Sequence, residues 1–174
     1  DSCKLGITSS MGLNMALREA LNDLNLNDDP LIRRMHIKAS GCPNSCGQHH
    51  IADIGFHGAA MKGGKGQQIP AYEIFLGGTY DAGKVDMGVR LRARVPAKQA
   101  PNALKSILSF YQKKRSESEH FSNFVQRVGK ETFEDLIKAG VSVGPLNRDN
   151  VDTYMDWERT VIYKLERGEG ECAV

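Results

Sequence analysis

The sequence predicts an α+β chain. Two observations are compatible with that class: four extended segments, at about 34–39, 51–57, 71–77 and 89–95, and helical stripes that lie before the first and after the last of them. The 174 residues suit one domain with a real core and a tail.

In "SSMGLNMALREALNDLNL", Leu13, Ala16, Leu17, Ala20, Leu21 and Leu24 recur at i, i+3, i+4 and i+7, an amphipathic helix that Ser9 or Ser10 can cap. "LIRRMHIKAS" reads as a short strand delivering the chain into a turn at Cys42, and "IADIGFHGAA" leaves that turn as a second extended segment. "MKGGKGQQIP" is a flexible loop. Its glycines and lysines lack the Gly-Lys-Ser/Thr order that opens a helix in a phosphate loop, so nucleotide binding is not expected. "AYEIFLGG" is a strand ending at Gly77 and Gly78.

"VDMGVRLRARVP" alternates Val89, Leu91, Ala93 and Val95 with Arg90, Arg92 and Arg94, a half-exposed strand with a basic outer row. Pro96 and Pro101 lead into a helix buried along Leu104, Ile107, Leu108 and Tyr111. "SESEHFSNFVQRVG", opening on a capping Ser, and "KETFEDLIKAG" give two more helices, each closed by a glycine. Residues 141–150 turn to Gly, Pro, Asn and Asp and read as a linker. Residues 151–174 read as one more helix, ending near Gly168, with Tyr154, Trp157, Val161 and Leu165 on its apolar face, followed by a tail.

A net charge of +2 and an ordinary hydrophobic fraction exclude the strong basic excess of a nucleic-acid binder. No apolar run has the length of a membrane span, and the N-terminus lacks the order of a signal peptide, so a cytoplasmic protein with no membrane partner is expected. The chain opens on Asp1 rather than Met, as an excised piece or a cleaved product would.

The four cysteines, Cys3, Cys42, Cys46 and Cys172, are too sparse for a secreted disulfide framework. Two of them fall three residues apart in the polar turn "SGCPNSCGQHH". A local disulfide there would staple nothing distant, and packed thiols would find little apolar surface. A metal or iron–sulfur site is the third reading, and it calls for further cysteine ligands. Zinc remains open, although its structural sites favour C-x2-C knuckles.

"DSCKLGITSS" and "GCPNSCGQHHIADIGFHG" together resemble the C-terminal half of the siroheme-containing nitrite and sulfite reductases, with nitrite-type or ferredoxin-dependent members slightly preferred. The resemblance extends to about Gly140. It implies a mixed sheet flanked by helices, one of two halves that embrace the cofactor across a pseudo-two-fold, over residues 1–140. It implies Cys3, Cys42 and Cys46 as three ligands of a 4Fe-4S cluster, with the fourth cysteine upstream of Asp1, and Cys46 as the thiolate bridging to the siroheme iron. Asn44 and Gln48 take positions suited to hydrogen bonds with the macrocycle or the cluster sulfurs. His49 and His50 sit beside the motif; at most one faces the site, and a hydrogen-bonded structural His is the favoured reading. Cys172 is expected to be an exposed or packed thiol.

The implied chemistry is a six-electron reduction of nitrite to ammonia or of sulfite to sulfide, with electrons from a ferredoxin or flavoprotein donor. As the alternative, the chain is an electron-transfer iron–sulfur module without substrate chemistry. Taken alone, the chain is expected to lack catalytic residues, activity and a stable cofactor complement. It is also expected to self-associate through the face that meets its N-terminal half.

Overall fold

The computed structural model describes residues 3–24 and 29–165. Helix α1 spans Ser10–Asp23, with Ser9 as its cap: the Ser9 Oγ accepts the Gly12 N–H at 3.1 Å. Leu13, Leu17 and Ala20 of the expected stripe are buried. The expected strand from Leu31 begins later than its residue types suggest. Asp29 and Pro30 open a short helix, α2, at Pro30–Arg33, because the Asp29 carboxylate accepts the Leu31 and Ile32 N–H groups and Pro fits the first turn. Arg115 then locks this cap with an ion pair to Asp29 at 2.7 Å.

The sheet is formed by β1 (Ile37–Ser40), β2 (Ile54–Lys62), β3 (Gln68–Leu76) and β4 (Val89–Pro96), in that order. β1 pairs parallel with β2, and the other two pairings are antiparallel, so the sheet is mixed. Parallel neighbours need a crossover rather than a hairpin. Here the crossover is the segment 41–53, which carries the cysteine turn and ends in a single 3-10 turn at His49–Ile51.

The period of two divides the sheet into two unlike faces. One carries Ile54, Phe56, Tyr72, Ile74, Leu76, Leu91 and Val95 and forms the main core with α1, α3 (Ala100–Lys114), α4 (Phe121–Val128) and α5 (Lys130–Gly140). An edge-to-face aromatic cluster of Tyr111, Phe121, Phe124 and Phe133 joins the three later helices. The buried Glu134 of α5 accepts the Arg92 N–H, which covers part of the β4 edge. The other face carries Ser40, His57, Glu73, Phe75, Arg90 and Arg94, with the crossover folded over its β1–β2 end.

Two helix expectations are corrected. His120, not a serine, caps α4, and it does so without a side-chain hydrogen bond. From Val151 the chain makes one 3-10 turn, Val151–Tyr154, and then runs to Leu165 without helix or strand. Tertiary bonds outcompete the periodic stripe there: the Tyr163 N–H donates to the Tyr154 carbonyl, the Leu165 N–H to Gln68, and Glu158 takes a left-handed φ of 58°. Residues 166–174, with Cys172, lie outside the described residues. Among the described residues, no helix is long and apolar enough to cross a membrane.

Candidate functional site at the cysteine crossover

The site is assembled from two segments that hydrogen bonds bring side by side. The Ile7 and Thr8 N–H groups both donate to the Gly41 carbonyl, at 2.7 and 3.2 Å, which lays the Cys3–Ser9 segment along the start of the crossover. Backbone crowding makes glycine necessary nearby. A Cβ on Gly58 would come within 2.1 Å of the Gly41 oxygen, and one on Gly47 within 2.2 Å of the Ala39 oxygen.

Cys3, Cys42, Asn44 and Cys46 line one cleft of about 280 Å³, together with the small residues Gly6 and Gly47. Cys42 is buried, Cys3 half-buried and Cys46 exposed, and all three are free thiols. The Leu5 N–H donates to Cys3 Sγ across 3.4 Å. Gln48 is placed elsewhere: its Oε1 accepts the Lys38 ammonium at 2.9 Å, outside the cleft lining.

The turn is held in a demanding conformation. Ser45 and Gln48, on either side of Cys46, have left-handed φ values of 61° and 56°. Behind them His49 is fully buried, its Nδ1 hydrogen-bonded to Ser40 Oγ at 2.9 Å, and the same hydroxyl accepts the Gly47 N–H at 3.1 Å. His49 is thus a hydrogen-bonded structural residue of the turn. His50 bonds Ser45 Oγ at 2.9 Å, and the two imidazoles pack with His57 against Phe75. Burial, followed by the neighbouring His50 and His57, pushes the His49 pKa down to about 4, so its ring is neutral at pH 7. Burial also lowers that of His50.

Three cysteines line one cleft, residue types that suit a soft metal, a backbone N–H bonds one sulfur, and the small residues Gly6 and Gly47 line the cleft beside them. Among the described residues, no three His, Cys, Asp or Glu side chains are gathered as ligands of a single metal ion.

Residues 4–143 match the family described as nitrite and sulphite reductase 4Fe-4S domain. The chain belongs to this family. Similar relatives include the sulfite reductase [NADPH] hemoprotein beta-component of Bacillus pumilus, 35% identical over 118 residues, which are 67% of this chain and 18% of that protein. Another is the sulfite reductase [ferredoxin] of Mycobacterium tuberculosis, 34% identical over 114 residues, 64% of this chain and 20% of that protein. The structure of Mycobacterium tuberculosis NirA protein is similar at a TM-score of 0.58 and 29% identity, over 70% of this chain and 22% of that one. The chain therefore spans about a fifth of the length of these curated relatives. The α+β class and the mixed sheet expected from the resemblance are found in this chain, whose fold is similar to that of the NirA structure.

Asp156 and Tyr163, which also touch the Cys3 segment, carry no signal in the sequence. Their hydrogen bonds to Ser9 and Ile7 span separations of 147 and 156 residues, and no local pattern marks them.

Proposed function

We propose that this chain is the cluster- and siroheme-binding part of a reductase that carries six electrons to sulfite, giving sulfide, or to nitrite, giving ammonia. The observation that carries the reading is the convergence of Cys3, Cys42 and Cys46 on one cleft in a chain of the 4Fe-4S domain family. Sulfite comes first because both named relatives are sulfite reductases. Their names also support a ferredoxin-dependent or NADPH-dependent supply of electrons.

Cys3, Cys42 and Cys46 would supply three thiolates to the cluster, with the fourth from a cysteine ahead of Asp1, and Cys46, the most exposed of the three, would bridge to the siroheme iron. The cluster and siroheme supply electron storage and a site for the substrate. The chain's own residues orient and insulate. The Leu5 N–H donates to the Cys3 sulfur and orients it, Ser40 and His49 hold the turn after Cys46, and Asn44 can offer its amide to sulfur or macrocycle.

Anaerobic reconstitution with iron and sulfide tests the reading. It is carried out on the chain extended upstream through the next cysteine, and again with Cys42→Ser and Cys46→Ser. About four irons per chain and a visible charge-transfer band that either substitution abolishes are the expected result. Equal iron uptake by all three proteins would overturn it.

A further inference from the structure

We propose that the segment 154–165 is a strap that positions Cys3, with Asp156 and Tyr163 as its positioning residues. The inference rests on the cluster reading above and adds residues outside the family match, which ends at residue 143.

The Cys3–Ser9 segment has no helix or strand of its own to fix it. The Gly41 carbonyl holds one side of it through the Ile7 and Thr8 N–H groups. The strap holds the other. The Tyr163 hydroxyl donates to the Ile7 carbonyl at 2.8 Å, and the Ser9 N–H donates to Asp156 Oδ2 at 2.8 Å in a buried bond. The two bonds therefore straddle Thr8 and fix the peptide planes on both sides of it. Rotation of this stretch, which would swing Cys3 out of the cleft, is blocked at two points.

The strap is itself rigidly seated, as a positioning device requires. The Tyr163 N–H donates to the Tyr154 carbonyl at 2.7 Å, and the buried Tyr154 donates its hydroxyl to Gly144 at 2.8 Å. Trp157 lies so close to α1 that a Cβ on Gly12 would come within 2.2 Å of its own Cβ. The Lys98 ammonium sits 4.4 Å above the Trp157 ring. Cys3 also borders a second cleft, of about 500 Å³, between its own segment and the strap, so the strap forms a wall of the cleft that Cys3 lines rather than a distant brace.

The test uses the cluster-loaded protein expressed from its complete reading frame, as wild type and as Tyr163→Phe, Asp156→Ala, Asp156→Asn and Gln68→Ala. Gln68→Ala removes one exposed bond at the far end of the strap, at Leu165, and leaves the Tyr163 and Asp156 bonds to the Cys3–Ser9 segment in place. Two quantities are read: the EPR spectrum and midpoint potential of the reduced cluster, and the anaerobic bleaching rate under an iron chelator. Tyr163→Phe and Asp156→Ala are expected to shift the EPR spectrum and bleach about fivefold faster, the scale of one lost hydrogen bond. Asp156→Asn keeps a carbonyl oxygen for the Ser9 N–H and should recover part of the wild-type spectrum, while Gln68→Ala should match wild type. Wild-type spectra in both Tyr163→Phe and Asp156→Ala, or equal loss in Gln68→Ala, would overturn the strap's role alone. A wild-type protein that binds no cluster would overturn the functional reading with it.

Discussion

His49 and Ser40 are joined by a buried hydrogen bond of 2.9 Å, and through the Ser40 hydroxyl His49 is tied to the backbone of Gly47, next to Cys46. Ser40→Ala removes the shared hydroxyl and leaves both the imidazole Nδ1 and the Gly47 N–H without their partner. The expected cost is about 2–3 kcal/mol, the range for buried polar groups stripped of a hydrogen bond. Urea unfolding checks it; a loss below about 0.5 kcal/mol would mean that the turn is held by other contacts.

The same histidine makes the fold acid-sensitive. The His49 pKa is held near 4, against 6.5 for an ordinary histidine, so the folded state resists a proton that the unfolded chain accepts. Its contribution to stability is complete above pH 6.5, falls as the pH drops below that, and is gone near pH 4. The amount is on the order of 3 kcal/mol. Unfolding midpoints measured across this window should fall more steeply for wild type than for His49→Gln. Parallel profiles would place the acid sensitivity on another group.

Gln48 has a left-handed backbone with φ 56°. A β-branched side chain is strained there and glycine is not. Gln48→Val should therefore be less stable than Gln48→Gly by about 1–3 kcal/mol. Thermal unfolding of the pair measures the difference directly, because both variants lose the exposed Lys38 contact equally. Equal melting temperatures would show that the turn relaxes when it is mutated.

Glu73 lies 7% exposed in the polar face of the sheet, with Arg94 at 2.8 Å, Arg90 at 3.3 Å and His57 at 3.4 Å around its carboxylate. Glu73→Ala leaves these groups crowded without a counter-charge. A cost of about 2–3 kcal/mol is expected, at the low end for a broken buried pair because both guanidinium groups reach solvent. Chemical denaturation gives the value, and adding salt should narrow the gap between variant and wild type.

What the sequence discloses follows from how local each signal is. The Leu13–Leu17–Ala20 and Leu104–Ile107–Leu108–Tyr111 stripes are legible because the helix period alone writes them. Cys42, Asn44 and Cys46 can be read as one turn because they are contiguous, and Cys3 joins them only through the family resemblance. The residues after Val151 mislead because Tyr154, Trp157, Val161 and Leu165 imitate a helix face, while in the structure Tyr154 is buried and Val161 is 67% exposed. α2 escapes notice because its existence depends on one cap, Asp29, rather than on periodicity. Gln48, close to the cysteines in sequence, turns to Lys38, since a left-handed residue reverses the direction in which the next side chains point.

The bond from Tyr163 to Ile7 joins points 156 residues apart, and that separation has a consequence for biosynthesis. A ribosome exposes Cys3, Cys42 and Cys46 long before it releases Tyr163, so the thiols spend most of translation without the strap. Pairings of such high sequence separation form late, after the loop-closure entropy has been met by nearer contacts. The cleft should accordingly be the last part of this chain to acquire its native shape, and iron delivery should succeed best after translation has ended.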